Sequence, residues 1–239
     1  MEKLAEGKTK IVYASNSPTE VILSFKDDIT ALDGEKHDIL AGKGKMNAEI
    51  TALLFTKLNE AAVPTHFIEM SDQVTMRVRK LTMIPIEVVL RNIAAGHFLV
   101  RLPYFKRGEK LRIPIVEFFL KDDAHHDPLL TEDHVLLMEH ANEEEIAYIK
   151  RITHHVNETL SPFFAKRGLT LVDFKIEFGR DTEGNLRVGD ELNADSMRLW
   201  DTQTGTIFDK DVYREGTDLN QVSKVYQDVH NRILAEVAA

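Results

Sequence analysis

"LVDFKIEFG" runs from Leu171 to Gly179. Its strict alternation is the period of a β-strand. Val172, Phe174, Ile176 and Phe178 share one face, and Asp173, Lys175 and Glu177 share the other. Asp181-Thr182-Glu183-Gly184-Asn185 then reads as a turn, and Leu186-Arg187-Val188-Gly189-Asp190-Glu191 as the returning strand. A turn centred on Glu183-Gly184 sets Glu177 opposite Asp190. Directly opposed like charges destabilise a sheet pair, and a hard cation between them removes the penalty. Two carboxylates are typical protein ligands for Mg²⁺ held jointly with nucleotide phosphates. The plainer alternative is a solvated charged face on which Lys175 neutralises its neighbours. A register slipped by a residue or two leaves that alternative open.

Around this hairpin the chain alternates between helical and strand periods. Asn142 followed by three glutamates starts a helix and Gly168 after Lys166-Arg167 stops it, with Ile146, Ile149, Ile152, Val156, Leu160 and Phe163 in helical register. Leu219 to Val237 repeats the pattern with Leu219, Val222, Val225, Val229, Ile233 and Val237. Toward the amino terminus, Thr9–Ala14 and Val21–Phe25 read as a hairpin across Ser-Asn-Ser-Pro. Met46 to Ala62 predicts a helix, while Thr75–Leu81 and Ile86–Leu90 predict strands. The first part is thus a small, mostly antiparallel sheet with one helix. Lys106 to His140 mixes charge and prolines with weak periodicity, and the expectation there is loop.

"EGKTKIVY" (Glu6–Tyr13) ends in a Gly-Lys-Thr that looks like a phosphate-binding loop. The first glycine of that motif would fall on Glu2, no strand precedes it, and Ile11-Val12-Tyr13 favours a strand rather than a helix. A glycine turn with Lys8 and Lys10 reaching over a phosphate chain is the alternative to a plain surface turn.

The chain has 239 residues, 43% of them hydrophobic and 29% charged, as in a globular protein with a proper core. A net charge of -9 disfavours nonspecific binding to nucleic acid or an anionic membrane. The absence of cysteine excludes disulfides, thiolate zinc sites and cysteine nucleophiles, and fits a reducing cytosol. No apolar signal core or bilayer-spanning stretch is visible.

Further candidates sit near strand ends and in loops. Arg91-Asn92 precedes Gly96-His97, Lys121 precedes Asp122-Asp123, and Asp190-Glu191 precedes Asp195, Arg198, Trp200 and Asp201. Each could equally be a surface ion pair or a turn. His125-His126 and His154-His155 are adjacent pairs whose side chains diverge, a poor arrangement for zinc. No G-x-S-x-G, H-E-x-x-H or G-x-G-x-x-G is present.

Together, "LVDFKIEFG", "PIEVVLRNIAAG" (Pro85–Gly96), "GDE" (Gly189–Glu191) and "DSMRLWD" (Asp195–Asp201) resemble the SAICAR synthetase family across essentially the whole chain. The resemblance implies an α+β fold, with a small antiparallel β unit over residues 1–85 and a larger α/β unit over 86–239 enclosing an ATP cleft. It implies ligation of carboxyaminoimidazole ribonucleotide (CAIR) to L-aspartate in purine synthesis, with ATP and Mg²⁺, by a cytoplasmic homodimer or larger oligomer. By resemblance, Lys8 and Lys10 face the phosphates, Leu81 and Met83 lie near the adenine, and Lys121 lies close to the nucleotide. Glu177 and Asp190 match the metal- and ATP-binding carboxylates, and Lys175 faces the substrate end. Arg91 and Arg198 match arginines on the CAIR phosphate. His97 stands where many members carry serine, also toward that phosphate. Asp195, Asp33-Gly34 and Lys43-Gly44 match positions facing the substrates. Ile93, Leu192-Asn193-Ala194 and Met197 depart from the usual pattern. A small-molecule kinase on a related fold and a nucleotide-binding module without catalysis are the competing classes. Aspartate-dependent ADP release and a turnover assay separate them.

Overall fold

Strict alternation in Leu171–Gly179 builds the central strand of the larger of two antiparallel sheets. The computed structural model describes residues 1–31 and 35–236, so Asp33-Gly34 and Val237 lie outside the described residues. The smaller sheet is formed by β1 (Lys3–Glu6), β2 (Lys10–Ala14), β3 (Glu20–Phe25), β6 (Phe67–Met70) and β7 (Thr75–Arg79), in the order β1-β2-β3-β7-β6. A hairpin of β4 (Asp28–Ala31) and β5 (Lys36–Ile39) and the helix α1 (Lys43–Glu60) fall between β3 and β6 in the chain. The larger sheet begins with β8 (Thr82–Ile93), followed by α2 (His97–Arg101), β9 (Lys110–Leu120) and β10 (Leu129–Leu130). Next come α3 (Glu132–Leu137), α4 (Glu143–Ala165), β11 (Leu169–Arg180), β12 (Leu186–Gly189) and β13 (Met197–Asp201). The chain closes with α5 (Asp211–Arg214) and α6 (Leu219–Leu234).

Sheet order is β10-β9-β8-β11-β12, and β13 shares the outer edge of β11 with β12. The apolar face of β11 carries Phe174, Ile176 and Phe178, each at most 1% exposed, and α4 covers it. α4 begins as expected: Asn142 caps it, and Glu145 reaches back to complete a capping box. Gly168 ends the segment with φ 68°, a conformation glycine adopts without strain. α1 supplies Ile50, Leu54, Phe55 and Leu58 to the main core and Ala48 to the cluster under the smaller sheet. It therefore ties the two sheets together.

One expectation is corrected. Lys106–His140 is not mainly loop, because it contains the eleven-residue β9. Only the two-residue β10 covers its outer edge, so β9 keeps charged, exposed positions and tolerates Pro114, which hid its period. The expected boundary at 85/86 falls inside the continuous strand β8; the change of sheet comes between Arg79 and Thr82.

Candidate active site

One face of the larger sheet carries the charge. Asp173 pairs with Arg91 on β8 and with Arg198 on β13. Two steps on, Lys175 pairs with Val89; two further, Glu177 pairs with Glu87. These residues line a cleft of about 920 Å³, closed from the other side by Gly7, Lys8, Thr9, Lys10 and Thr30.

The hairpin register differs by one residue from the expectation. Glu177 pairs with Gly189, and Asp190 lies just past the ladder with φ 58°. The acid directly opposite Glu177 is instead Glu87 on β8. Lys175 stands between them, its Nζ 2.8 Å from a carboxylate oxygen of each. Lys121 donates to both Glu177 oxygens, at 2.8 and 2.6 Å. Asp190 is turned into the cleft all the same: Lys10 lies 2.9 Å from it and 3.0 Å from Glu191, and Lys175 lies 3.8 Å away. Burial alone would raise the Asp190 carboxyl, but Lys10 and Lys175 more than offset it and hold it well below the usual range. Burial opposes the charge of Lys175 too, and Glu177, Glu87 and Asp190 overcome it, so Lys175 stays protonated.

The Gly7-Lys8-Thr9 stretch is the turn between β1 and β2, where the Gly7 N–H donates to the Lys10 carbonyl at 2.8 Å. It is not a phosphate-binding loop, yet it delivers both lysines: Lys8 reaches Asp123 at 2.6 Å across the cleft mouth. Leu81 and Met83 lie beside the same end. A Cβ added to Gly179 would meet Leu81 at 2.8 Å and Met83 at 3.1 Å, and one on Gly189 would meet Leu81 at 2.9 Å. Glycine at both places lets these apolar side chains sit flat on the hairpin.

The other end is built on arginine. Arg91 Nη1 and Arg198 Nη1 both donate to Asp173 Oδ2 at 2.9 Å. Arg91 also donates to Glu117 and Arg198 to Asp211, each at 2.6 Å. Burial would lower Arg198, and Asp173 and Asp211 reverse that, keeping it charged. Gly96, with φ 54°, lies against the Arg198 guanidinium so closely that a Cβ there would collide with it. His97 follows at the start of α2 and is exposed.

Asp195 and Lys43 behave differently from the rest. Lys43 is fully buried beneath the cleft, and its ammonium lies 2.5 Å from Asp195, an ion pair without hydrogen-bond angles. Tyr226 donates to the other Asp195 oxygen at 2.5 Å, and Asn47 donates at 3.1 Å. Burial works against this anion, but Lys43 and Lys210 hold its carboxyl well below the ordinary range. The pair ties α1 and α6 to the loop after β12.

Sequence reasoning gave no role to Glu87, Glu117, Asp173, Glu191, Lys210 or Arg214. Cross-strand partners such as Glu87 and Glu117 leave no local signal, and Lys210 sits in a charged run that looks solvated. Asn193, at one of the unusual positions, donates to Thr51 and to Glu191, each at 3.1 Å, and so orients Glu191. Among the described residues no group of three or more His or acidic side chains is placed to hold a metal alone. Glu177 and Asp190 nonetheless share one cation, Lys175, so a site held jointly with phosphate oxygens fits the donor set.

Residues 3–233 match the SAICAR synthetase family. A phosphoribosylaminoimidazole-succinocarboxamide synthase of Sulfolobus acidocaldarius is 49% identical over 232 residues, covering 97% of this chain and 98% of that protein. The crystal structure of the Ehrlichia chaffeensis synthase superposes with a TM-score of 0.93 at 40% identity, covering 98% of this chain and 99% of that one. A solved structure of SAICAR synthetase (type-2) in complex with ADP gives 0.91 at 39% identity, with the same coverage. Likeness of this extent in both sequence and fold leaves one conclusion: the chain belongs to the SAICAR synthetase family.

Proposed function

We propose that this chain joins the carboxylate of CAIR to the amine of L-aspartate, consuming ATP and releasing SAICAR, ADP and phosphate. The observation that carries the reading is one sheet face with two charged poles: lysines around Glu87, Glu177 and Asp190, and arginines around Asp173. A carboxylate does not react with an amine at neutral pH, because oxide is a poor leaving group. Attack of the CAIR carboxylate oxygen on the γ-phosphorus, with ADP leaving, gives an acyl phosphate. The aspartate amine then attacks the acyl carbon, phosphate departs, and the nitrogen loses a proton. Phosphoryl transfer needs positioning and charge neutralisation above all.

Lys8, Lys10, Lys121 and Lys175 supply cations for the phosphates, with Leu81 and Met83 against the adenine. Glu177 and Asp190 would hold Mg²⁺, whose charge neutralises phosphate oxygens. Arg91 and Arg198 take the ribonucleotide phosphate, since a planar guanidinium binds oxygens in pairs, with His97 at its rim. Lys43 and Asp195 support the floor of the cleft. Asp33, assigned to the substrates by resemblance, lies outside the described residues.

We also infer that the N-terminal unit, expected over residues 1–85, covers the nucleotide. We place the enzyme in the cytoplasm as a homodimer, for which exposed Val100, Tyr104 and Ile113 around α2 and β9 offer apolar surface. No helix among the described residues is long and apolar enough to cross a membrane.

Product analysis with ATP, Mg²⁺ and CAIR, with and without L-aspartate, tests the reaction. Stoichiometric SAICAR, ADP and phosphate that require aspartate are expected. Aspartate-independent ADP release, or AMP as product, would contradict it.

A further inference from the structure

Lys10 sits between two consecutive carboxylates, 2.9 Å from Asp190 and 3.0 Å from Glu191. The two acids are held differently. Among the described residues no backbone N–H, amide or hydroxyl donates to the Asp190 carboxylate; its neighbours are Lys10 and, at 3.8 Å, Lys175. Glu191 is fixed at both oxygens. Asn193 donates at 3.1 Å to Oε2, the oxygen that faces Lys10, and Thr9 donates to Oε1 at 3.3 Å. Asn193 is itself immobile. It is fully buried, its Oδ1 accepts the Asp195 N–H at 2.9 Å, and its amide also donates to Thr51 on α1 at 3.1 Å. The carbonyl oxygen is taken by an N–H, so both amide hydrogens are left for Glu191 and Thr51.

We propose that Asn193 is a positioning residue for the nucleotide: through Glu191 it keeps Lys10 in the cleft when Asp190 turns to the incoming metal and phosphates. The proposal rests on the reading of the lysine pole as the nucleotide site. A lysine stem is flexible, and an ammonium that loses its partner drifts toward water. Asp190, free of other bonds, is the exchangeable partner of Lys10. Glu191, pinned by Asn193 and Thr9, is the standing one. Lys10 therefore stays where a phosphate oxygen can take the place of Asp190, and its side chain does not have to be ordered again as the nucleotide arrives.

The test is calorimetric binding of Mg·ADP to wild type and to variants at Asn193, Thr51 and Lys10. Asn193→Ala should weaken Mg·ADP about three- to tenfold, the net worth of one hydrogen bond. Asn193→Asp keeps the shape but sets a second carboxylate against Glu191, and should weaken it more. Thr51→Val cuts the other arm of the same amide and should stay within about twofold, the range left to a purely structural bond. CAIR binding should be unchanged in the Asn193 variants. In a Lys10→Met background Asn193→Ala should have no further effect on Mg·ADP, because its influence passes through that ammonium.

Unchanged Mg·ADP affinity in Asn193→Asp, equal weakening by Thr51→Val, equal loss of CAIR, or an undiminished effect in the Lys10→Met background would overturn the proposal. Should both Asn193 variants fail to fold, Thr9→Val loosens the same anchor at its other oxygen. Weaker Mg·ADP with Lys10 present and not in Lys10→Met supports the proposal; an equal effect in both, or none, overturns it. Melting of the ligand-free single and double variants keeps the two readings apart. Losses for Asn193→Ala and Lys10→Met that do not add show the link with no nucleotide present, and additive losses overturn it. A wild type that binds no Mg·ADP would defeat the nucleotide reading, while that melting cycle would still decide whether Asn193 holds Lys10.

Discussion

The two poles of the cleft solve the same problem with different side chains. At the end proposed for the nucleotide the cations are ammoniums, and two of them, Lys8 and Lys121, keep 42% and 51% of their side-chain surface exposed. At the other end they are guanidiniums, and Arg91 and Arg198 keep only 5% and 18%. An ammonium on a flexible stem can leave one carboxylate for a phosphate as the nucleotide arrives. A guanidinium locked by Asp173, Glu117 and Asp211 is already aimed. The lysine pole is therefore adaptable and the arginine pole preorganised, which suits the proposed placement of a triphosphate that changes during the reaction and of a ribose phosphate that does not.

The largest expected effect lies under the arginine pole. Burial, reinforced by Asp211, raises the Asp209 carboxyl to about 7, against an ordinary value of 3.8, even though two backbone N–H groups favour its anion. Between those values the folded chain holds a proton that the unfolded chain has lost. Stability from this group is complete below about pH 4 and disappears as pH rises through about 7, a change on the order of 4 kcal/mol. Asp209→Asn should lose that slope, whatever its absolute stability. Chemical denaturation at several pH values reads it, and an unaltered slope would remove Asp209 from the account.

The next effect sharpens the lysine pole. Repulsion between Glu177 and Asp190, as the hairpin pattern suggested, would make Glu177→Gln stabilising in the absence of nucleotide. Lys121 and Lys175 both bonded to buried Glu177 reverse that sign. Removing one partner of a buried pair costs about 3–5 kcal/mol, and the lower end is expected because exposed Lys121 can turn to solvent. Thermal melts of the substrate-free protein decide: a higher melting temperature for Glu177→Gln would restore the repulsion picture.

The two poles were not equally legible in the sequence. Alternation in Leu171–Gly179 placed Asp173, Lys175 and Glu177 on one face, as the structure has them. The register of the next strand escaped by one residue because the turn closes over five residues, 181–185, and pairs Arg180 with Leu186 rather than centring on Glu183-Gly184. Arg91 and Arg198 stood out near strand ends, but a phosphate role for them came only through the family motifs; that they meet on Asp173 is a consequence of long-range pairing by β8 and β13. Periodicity carries no information about such pairing, so Glu87 opposite Glu177 went unseen as well. Lys43 and Asp195 illustrate the opposite failure: matching residues were found, but nothing local told that their charges meet beneath the cleft.

The division of labour between the poles is open to one direct measurement: calorimetric binding of Mg·ADP and of CAIR to wild type, Glu177→Gln and Arg198→Lys. Arg198→Lys should weaken CAIR by about 1.5–3 kcal/mol, the range for a charge-assisted bond, and leave Mg·ADP unchanged. Glu177→Gln should weaken Mg·ADP and leave CAIR within about threefold. Loss of Mg·ADP binding in Arg198→Lys with CAIR intact, or equal loss of both ligands in both variants, would contradict the assignment of nucleotide to lysines and ribonucleotide to arginines.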